Sequence, residues 1–93
     1  MLTQVELGKK AKKQLNSVPR HILNKLESWI RAVELEGVEQ VRKISGYHDE
    51  ALQGKRKGQR SIRLSRSYRA VYIMLKSGVV EYINIEEVHK HEY

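Results

Sequence analysis

Ninety-three residues, 40% of them hydrophobic and 31% charged, describe one globular domain spanning 1–93, because half that length rarely buries a core of its own. Eighteen Lys and Arg against eleven Asp and Glu leave a formal charge of +7, and the absence of cysteine excludes a disulfide framework, a thiol nucleophile and Cys-ligated zinc. No apolar run nears the roughly 20 residues of a membrane span, and MLTQVELGKKAKKQL has no apolar signal region, so a cytoplasmic chain without membrane contact is expected.

Taken in chain order, Leu2, Val5 and Leu7 predict a short first strand, and Leu7, Ala11 and Leu15 form one stripe of a Lys-rich helix. Ser17 is a candidate N-cap for a second helix with Pro19 in its first turn. Ile22, Leu26, Trp29, Ile30 and Val33 then mark about five turns of apolar face, and Gly37 stops it. Val38, Val41 and Ile44 are transitional between helix and strand. Gly46 to Gly58 reads as a loop with three glycines. Ile62 and Leu64 alternate with polar residues as a half-buried strand, and Arg66-Ser67 links it to the β-branched and aromatic run Tyr68–Leu75. Ser77-Gly78 is a hairpin turn into Val79–Val88. The sum is an α+β domain, β-α-α-β-β-β: an N-terminal strand and a two-helix hairpin packed on one face of a small, largely antiparallel sheet, with the other face free for polar chemistry. Arg69 falls in phase with Val71, Ile73 and Leu75, so it is expected to precede regular pairing or to follow a bulge.

The charge is uneven. Residues 51–80 hold Lys55, Arg56, Lys57, Arg60, Arg63, Arg66, Arg69 and Lys76 and no acid, so this third of the chain carries the whole excess. A field concentrated this way attracts polyanions, and interleaving with apolar residues places the bases on folded strands. The Lys9, Lys10, Lys12 and Lys13 cluster reads mainly as a solvated helix face.

Three stretches together resemble the RelE/ParE superfamily of bacterial toxins from type II toxin–antitoxin modules. VELGKKAKKQLNSVP is similar to the family's opening strand and Lys-rich helix. LQGKRKGQRSIRLSRSYRAVY resembles its glycine–basic loop, basic strand and Tyr-Arg pair, and VHKHEY its short polar C-terminal motif. The resemblance is closest to the HigB-like and RelE-like mRNA interferases. It implies a metal-free, cofactor-free endoribonuclease that cleaves mRNA, usually on the ribosome. It also implies neutralisation by a cognate antitoxin of helix-turn-helix type encoded next door, with operator DNA bound only through that complex. Two other classes stay open: a ParE-like gyrase inhibitor, and a non-catalytic basic module that binds antitoxin or nucleic acid.

Metal-free RNA cleavage needs a base for the 2′-hydroxyl, an acid for the leaving 5′-oxygen, and cations for the phosphorane. Arginine suits the last task through its bidentate fork. Arg69 matches the Arg of the family's Tyr-Arg pair and ranks first, followed by Arg63 and Arg60. His48, His89, His91, Glu87 and Tyr93 are the acid and base candidates; His91 ranks first, lying where relatives place Arg or His, and Tyr93 resembles the family's near-terminal aromatic that stacks on a base or lends its phenol. His89 and His91 share one side of an extended chain. Lys55, Arg56, Lys57, Arg60, Arg66, His89 and Lys90 are assigned to RNA binding. Glu86 is ambiguous, Tyr47 stacks or packs, His21 faces solvent and Trp29 belongs to the core.

Overall fold

The computed structural model describes residues 2–90. A strand β1 (Leu2–Leu7) leads through Gly8 into helix α1 (Lys9–Gln14), and the long helix α2 (Arg20–Glu36) follows, then a single turn α3 (Val38–Val41). Four strands follow among the described residues: β2 (Glu50–Ala51), β3 (Arg60–Arg63), β4 (Tyr68–Ser77) and β5 (Val80–Lys90). They form one sheet in the order β1-β5-β4-β3-β2, parallel between β1 and β5 and antiparallel elsewhere. The expected α+β frame is present, with two elements added. Val38 and Val41 become α3, and the glycine-rich loop contributes the two residues of β2.

Ile22, Leu26, Trp29 and Val33 recur on one stripe of α2 and are all buried. They meet Ile62, Ala70, Tyr72, Ile83, Ile85 and Val88 from the sheet, and Trp29 and Tyr72 pack with ring centroids 5.1 Å apart. Ser17 does not cap α2. It lies in a preceding 3-10 turn, and Pro19 occupies the cap position, its carbonyl accepting from the Ile22 and Leu23 amides. Gly37, at φ +86, takes the left-handed-side backbone that ends α2 at the predicted position.

Arg69 is regularly paired, opposite Arg63 on one side and His89 on the other. The irregularity lies further on and in the partner strand. Val71 pairs with Glu87 and Tyr72 with Ile85, so Glu86 is the extra residue of a β-bulge in β5. The apolar positions of β5 step from Ile83 to Ile85 by two and then to Val88 by three, which keeps all three under the helices. Arg69 and Val71 do share a face, but it is the open one; Ala70 and Tyr72 face the core.

Beside the bulge, β1 ends at the Leu7–Ile85 pair, and the Gly8 amide donates to the Ile85 carbonyl. A Cβ on Gly8 would stand 3.1 Å from that carbonyl oxygen, so the close approach calls for glycine. From there α1 runs along the edge that β1 leaves, and the Gln14 side chain accepts from the Val88 amide at 2.7 Å. A strand edge that would otherwise be unpaired is thereby closed.

Candidate active site

Strand register sets two rows of side chains across the open face. The first runs Glu50, Ser61, Val71, Glu87 over four strands, and the second Arg63, Arg69, His89 over three. Neighbouring positions in a row are one strand spacing apart, about 4.8 Å. Together they shape a cleft of about 430 Å³ lined by Glu50, Leu52, Arg56, Ser61, Arg69, Val71 and His89. Val71, buried at 2% exposure yet outside the core cluster, is its apolar floor.

Arg69 sits at the centre with its side chain 17% exposed. Its Nη1 donates to Ser61 Oγ at 3.2 Å and to Glu50 Oε1 at 3.4 Å. Both bonds use one of the three guanidinium nitrogens, so the fork keeps its bidentate edge for an anion. Glu50 is half exposed, and its other oxygen lies 3.5 Å from His48 Nε2. His48, the one non-glycine residue with positive φ among those described (φ +46), turns the chain just before β2. That conformation costs a histidine of order 1 kcal/mol.

Asp49, between them, supplies the restraint. Its carboxylate is 1% exposed and accepts from Arg60 Nε and from the Tyr72 hydroxyl, both at 2.6 Å. Arg42 Nε approaches the Tyr72 oxygen at 3.4 Å. Burial pushes the Tyr72 phenol up to about 12; the Arg42 hydrogen bond works against that rise and Asp49 with it. Tyr72 therefore remains a donor at every ordinary pH. Burial is the largest single influence on Arg60 and opposes its charge, but the hydrogen bonds and charges of Asp49 and Tyr72 together outweigh it and raise the guanidinium further. With Asp49 tied down on the helix side, strand alternation turns Glu50 to the open side.

At the other wall, Glu87 accepts from Arg56 at 2.7 Å and from Lys10 at 3.1 Å, one cation to each oxygen. Partial burial acts to raise its carboxyl, and the two hydrogen-bonded cations more than offset that, holding it below the usual carboxylate range. Lys10 reaches Glu87 because α1 lies along the free edge of β5.

The structure thus brings Arg69, Arg56 and His89 into the lining of one cleft, with His48 and Glu87 behind it against Glu50 and Arg56. It separates others. Arg60 points to the helix side, in an ion pair with Asp49. Arg63 shares the row of Arg69 but is exposed and, with Arg66, lines a different hollow. Lys55 and Lys57 are exposed on the loop that carries Arg56, and Lys90 pairs with Tyr68 at the strand's end. His91 and Tyr93 lie outside the described residues. Tyr47 is buried in the core. Glu50 and Ser61 were missed in the sequence reading. Glu50 sits inside a stretch whose glycines mask two residues of strand, and Ser61 looks like an ordinary spacer in a basic run. Among the described residues no three His, Asp or Glu side chains come together as a metal-ligand set, and no helix is long and apolar enough to cross a membrane.

No protein-family model matches the chain, and no curated protein sequence does. Solved structures do. A YoeB/ParE toxin from Agrobacterium tumefaciens superposes with a TM-score of 0.74 at 16% identity, covering 96% of this chain and 99% of that one. YafQ from E. coli superposes with a TM-score of 0.75 at 16% identity, covering 95% and 92%. The YoeB–YefM complex from Staphylococcus aureus gives a TM-score of 0.69 at 18% identity, with both chains covered in full.

Proposed function

We propose that this chain, whose fold is that of the RelE/ParE-superfamily toxins, is the toxin of a toxin–antitoxin module and acts as an endoribonuclease on mRNA. The observation that carries the reading is Arg69 at the centre of the open-face cleft, with Glu50 and His48 on one side and His89 on the other. Cleavage forms a bond from the 2′-oxygen to phosphorus and breaks the bond to the 5′-oxygen, leaving a cyclic phosphate and a 5′-hydroxyl. An in-line displacement needs its base and acid on opposite sides of the phosphate, and the rows supply that order. Glu50 takes the 2′-proton with His48 beside it, Arg69 neutralises the phosphorane oxygens, and His89 protonates the leaving oxygen. His91, the donor that the family resemblance implies, is the alternative to His89 for that proton, and Tyr93 is assigned the base-stacking role. Glu87, with a cation on each oxygen, holds Arg56 toward the cleft rather than carrying a proton.

On this reading the natural substrate is mRNA in the ribosome, and the partner is an antitoxin encoded beside the toxin. The solved neighbours include a DinJ–YafQ toxin–antitoxin complex, which supports that expectation. The test is to add the protein to translating ribosomes and map RNA ends. New ends with 5′-hydroxyls are expected, falling by about 100-fold or more for Arg69→Ala, the scale of losing a main oxyanion-type donor. Intact mRNA with gyrase-dependent DNA breaks would instead favour the ParE-like reading, and growth inhibition unchanged by Arg69→Ala would refute the catalytic one.

A further inference from the structure

A second hollow, of about 440 Å³, opens where β3 turns into β4 and faces the N-terminal half of α2. Its walls are Lys25, Gly46, Arg63, Leu64, Ser65 and Arg66. Three of the six are cations, none is an acid, and no ion pair involves Lys25, Arg63 or Arg66 among the described residues. The segment's other arginines differ: Arg56, Arg60 and Arg69 each meet a carboxylate. The hollow is also held in shape. Lys25 Nζ rests over the buried Tyr47 ring, 4.8 Å from its centroid. Ser65 Oγ accepts from the Ser67 and Tyr68 amides at 3.1 and 3.2 Å, which fixes the turn and leaves its O–H as a donor.

From this we propose a second phosphodiester-binding site, formed by Lys25, Arg63, Arg66 and the Ser65 hydroxyl, that grips an RNA backbone away from the scissile phosphate. Unneutralised cations brought together by folding repel one another, and an anion with several acceptor oxygens relieves that cost. RNA fits better than an acidic peptide because Arg63, in the wall of the hollow, stands beside Arg69 of the cleft. The two are direct cross-strand neighbours, one strand spacing apart. A strand bound at Arg69 can pass over Arg63 and place a further phosphate between Lys25 and Arg66. The site takes either a flanking phosphate of the cleaved strand or a phosphate of ribosomal RNA. The inference rests on RNA as the partner proposed above, but not on cleavage.

Binding alone tests it. A 2′-O-methyl RNA oligonucleotide, which cannot be cleaved, is titrated into the labelled protein. Amide shifts are expected at Gly46 and Ser65 as well as at Arg69 and His89. Lys25→Gln and Arg66→Gln should each lower the salt slope of log K by about 0.7, the single-strand value per phosphate contact. Gly46→Asp sets a carboxylate at the mouth of the hollow where an added Cβ meets nothing within 4 Å, and should weaken binding without unfolding the chain. If the oligonucleotide shifts only the cleft, the same variants are measured on ribosomes. Affinity reduced tenfold there assigns the site to ribosomal RNA. Unchanged affinity and slope for both RNAs overturn the proposal, even should the variants lose affinity for an acidic antitoxin. Shifts in the hollow from a wild type that cleaves nothing would keep this site and sink the nuclease.

Discussion

Tyr72→Phe removes one oxygen and leaves the ring against Trp29, so it isolates the hydrogen bond to Asp49 from core packing. The bond is 2.6 Å long, its acceptor is a carboxylate 1% exposed, and the Tyr72 side chain is as buried. Hydrogen bonds to charged groups contribute about 1.5–3 kcal/mol, and losing one here leaves Asp49 with Arg60 as its remaining side-chain donor. A loss of about 2 kcal/mol lowers the Tm of a domain this size by roughly 8–16 °C. The phenol is raised to about 12 in the fold. Its contribution is therefore fully present below the unfolded value near 10 and is lost as pH rises through the folded value. The gap between wild type and variant should stay constant from pH 6 to 9 and close above 10. Thermal and urea unfolding at several pH values measure it, and Asp49→Asn combined with Tyr72→Phe should cost less than the two single losses added. A Tm within 2 °C of wild type, or strict additivity, would refute the claim that this bond restrains the turn carrying His48 and Glu50.

Other outcomes follow from the same geometry. Glu50→Gln, at a half-exposed position, should leave Tm within a few degrees while RNA cleavage falls about 100- to 10,000-fold, as measured by mapping ends; this range is the usual worth of a general base. Glu87 is held below its ordinary value near 4.5. Its stabilising contribution is thus present above that value and lost as pH falls through the lower folded one, so Glu87→Gln should be less stable than wild type at pH 7 and equal to it in strong acid by urea midpoint. On α2, Leu26→Ala should cost about 2–5 kcal/mol as a buried truncation, whereas Leu35→Ser, at a position 86% exposed, should be near neutral in the same urea titration.

The apolar period of α2 was legible in the sequence because every core contact it makes repeats on one helical stripe, and Gly37 supplies the one backbone state that ends it cleanly. The longer strands were legible in chain order, but the parity of β4 was not. Alternation read along β4 puts Arg69 with Val71, Ile73 and Leu75 and suggests a conflict between charge and burial. The conflict disappears once the open face is known to carry its own apolar floor at Val71. No pattern within β4 could show this, since a buried residue outside the helix-covered core depends on which loop folds over it. The loop from Gly46 to Gly58 hid both Glu50 and the αL turn at His48 for a related reason. Two residues of strand have no period, and they are held by Asp49 reaching partners in β3 and β4 that lie far along the chain.

The bulge decides which chemistry the open face receives. Were β5 to pair with β4 without the extra residue, the Tyr72–Ile85 match would continue as Val71 with Glu86, Ala70 with Glu87 and Arg69 with Val88. Glu87 would then lie under the helices with no cation to meet it, His89 would face the core, and Val88 would stand exposed beside Arg69. Inserting Glu86 reverses all three at once: Val88 becomes 1% exposed, and Glu87 and His89 join the rows of Ser61 and Arg69. The step of three from Ile85 to Val88 is the sequence mark of this device, because a strand that must return a valine to the core after two glutamates has to gain a residue. Burial of Val88 and delivery of His89 to the phosphate site are therefore one structural event. Deleting Glu86 should cost stability and cleavage together. A deletion variant that folds at wild-type stability and still cleaves RNA would show that the register of β5 is not what builds the cleft.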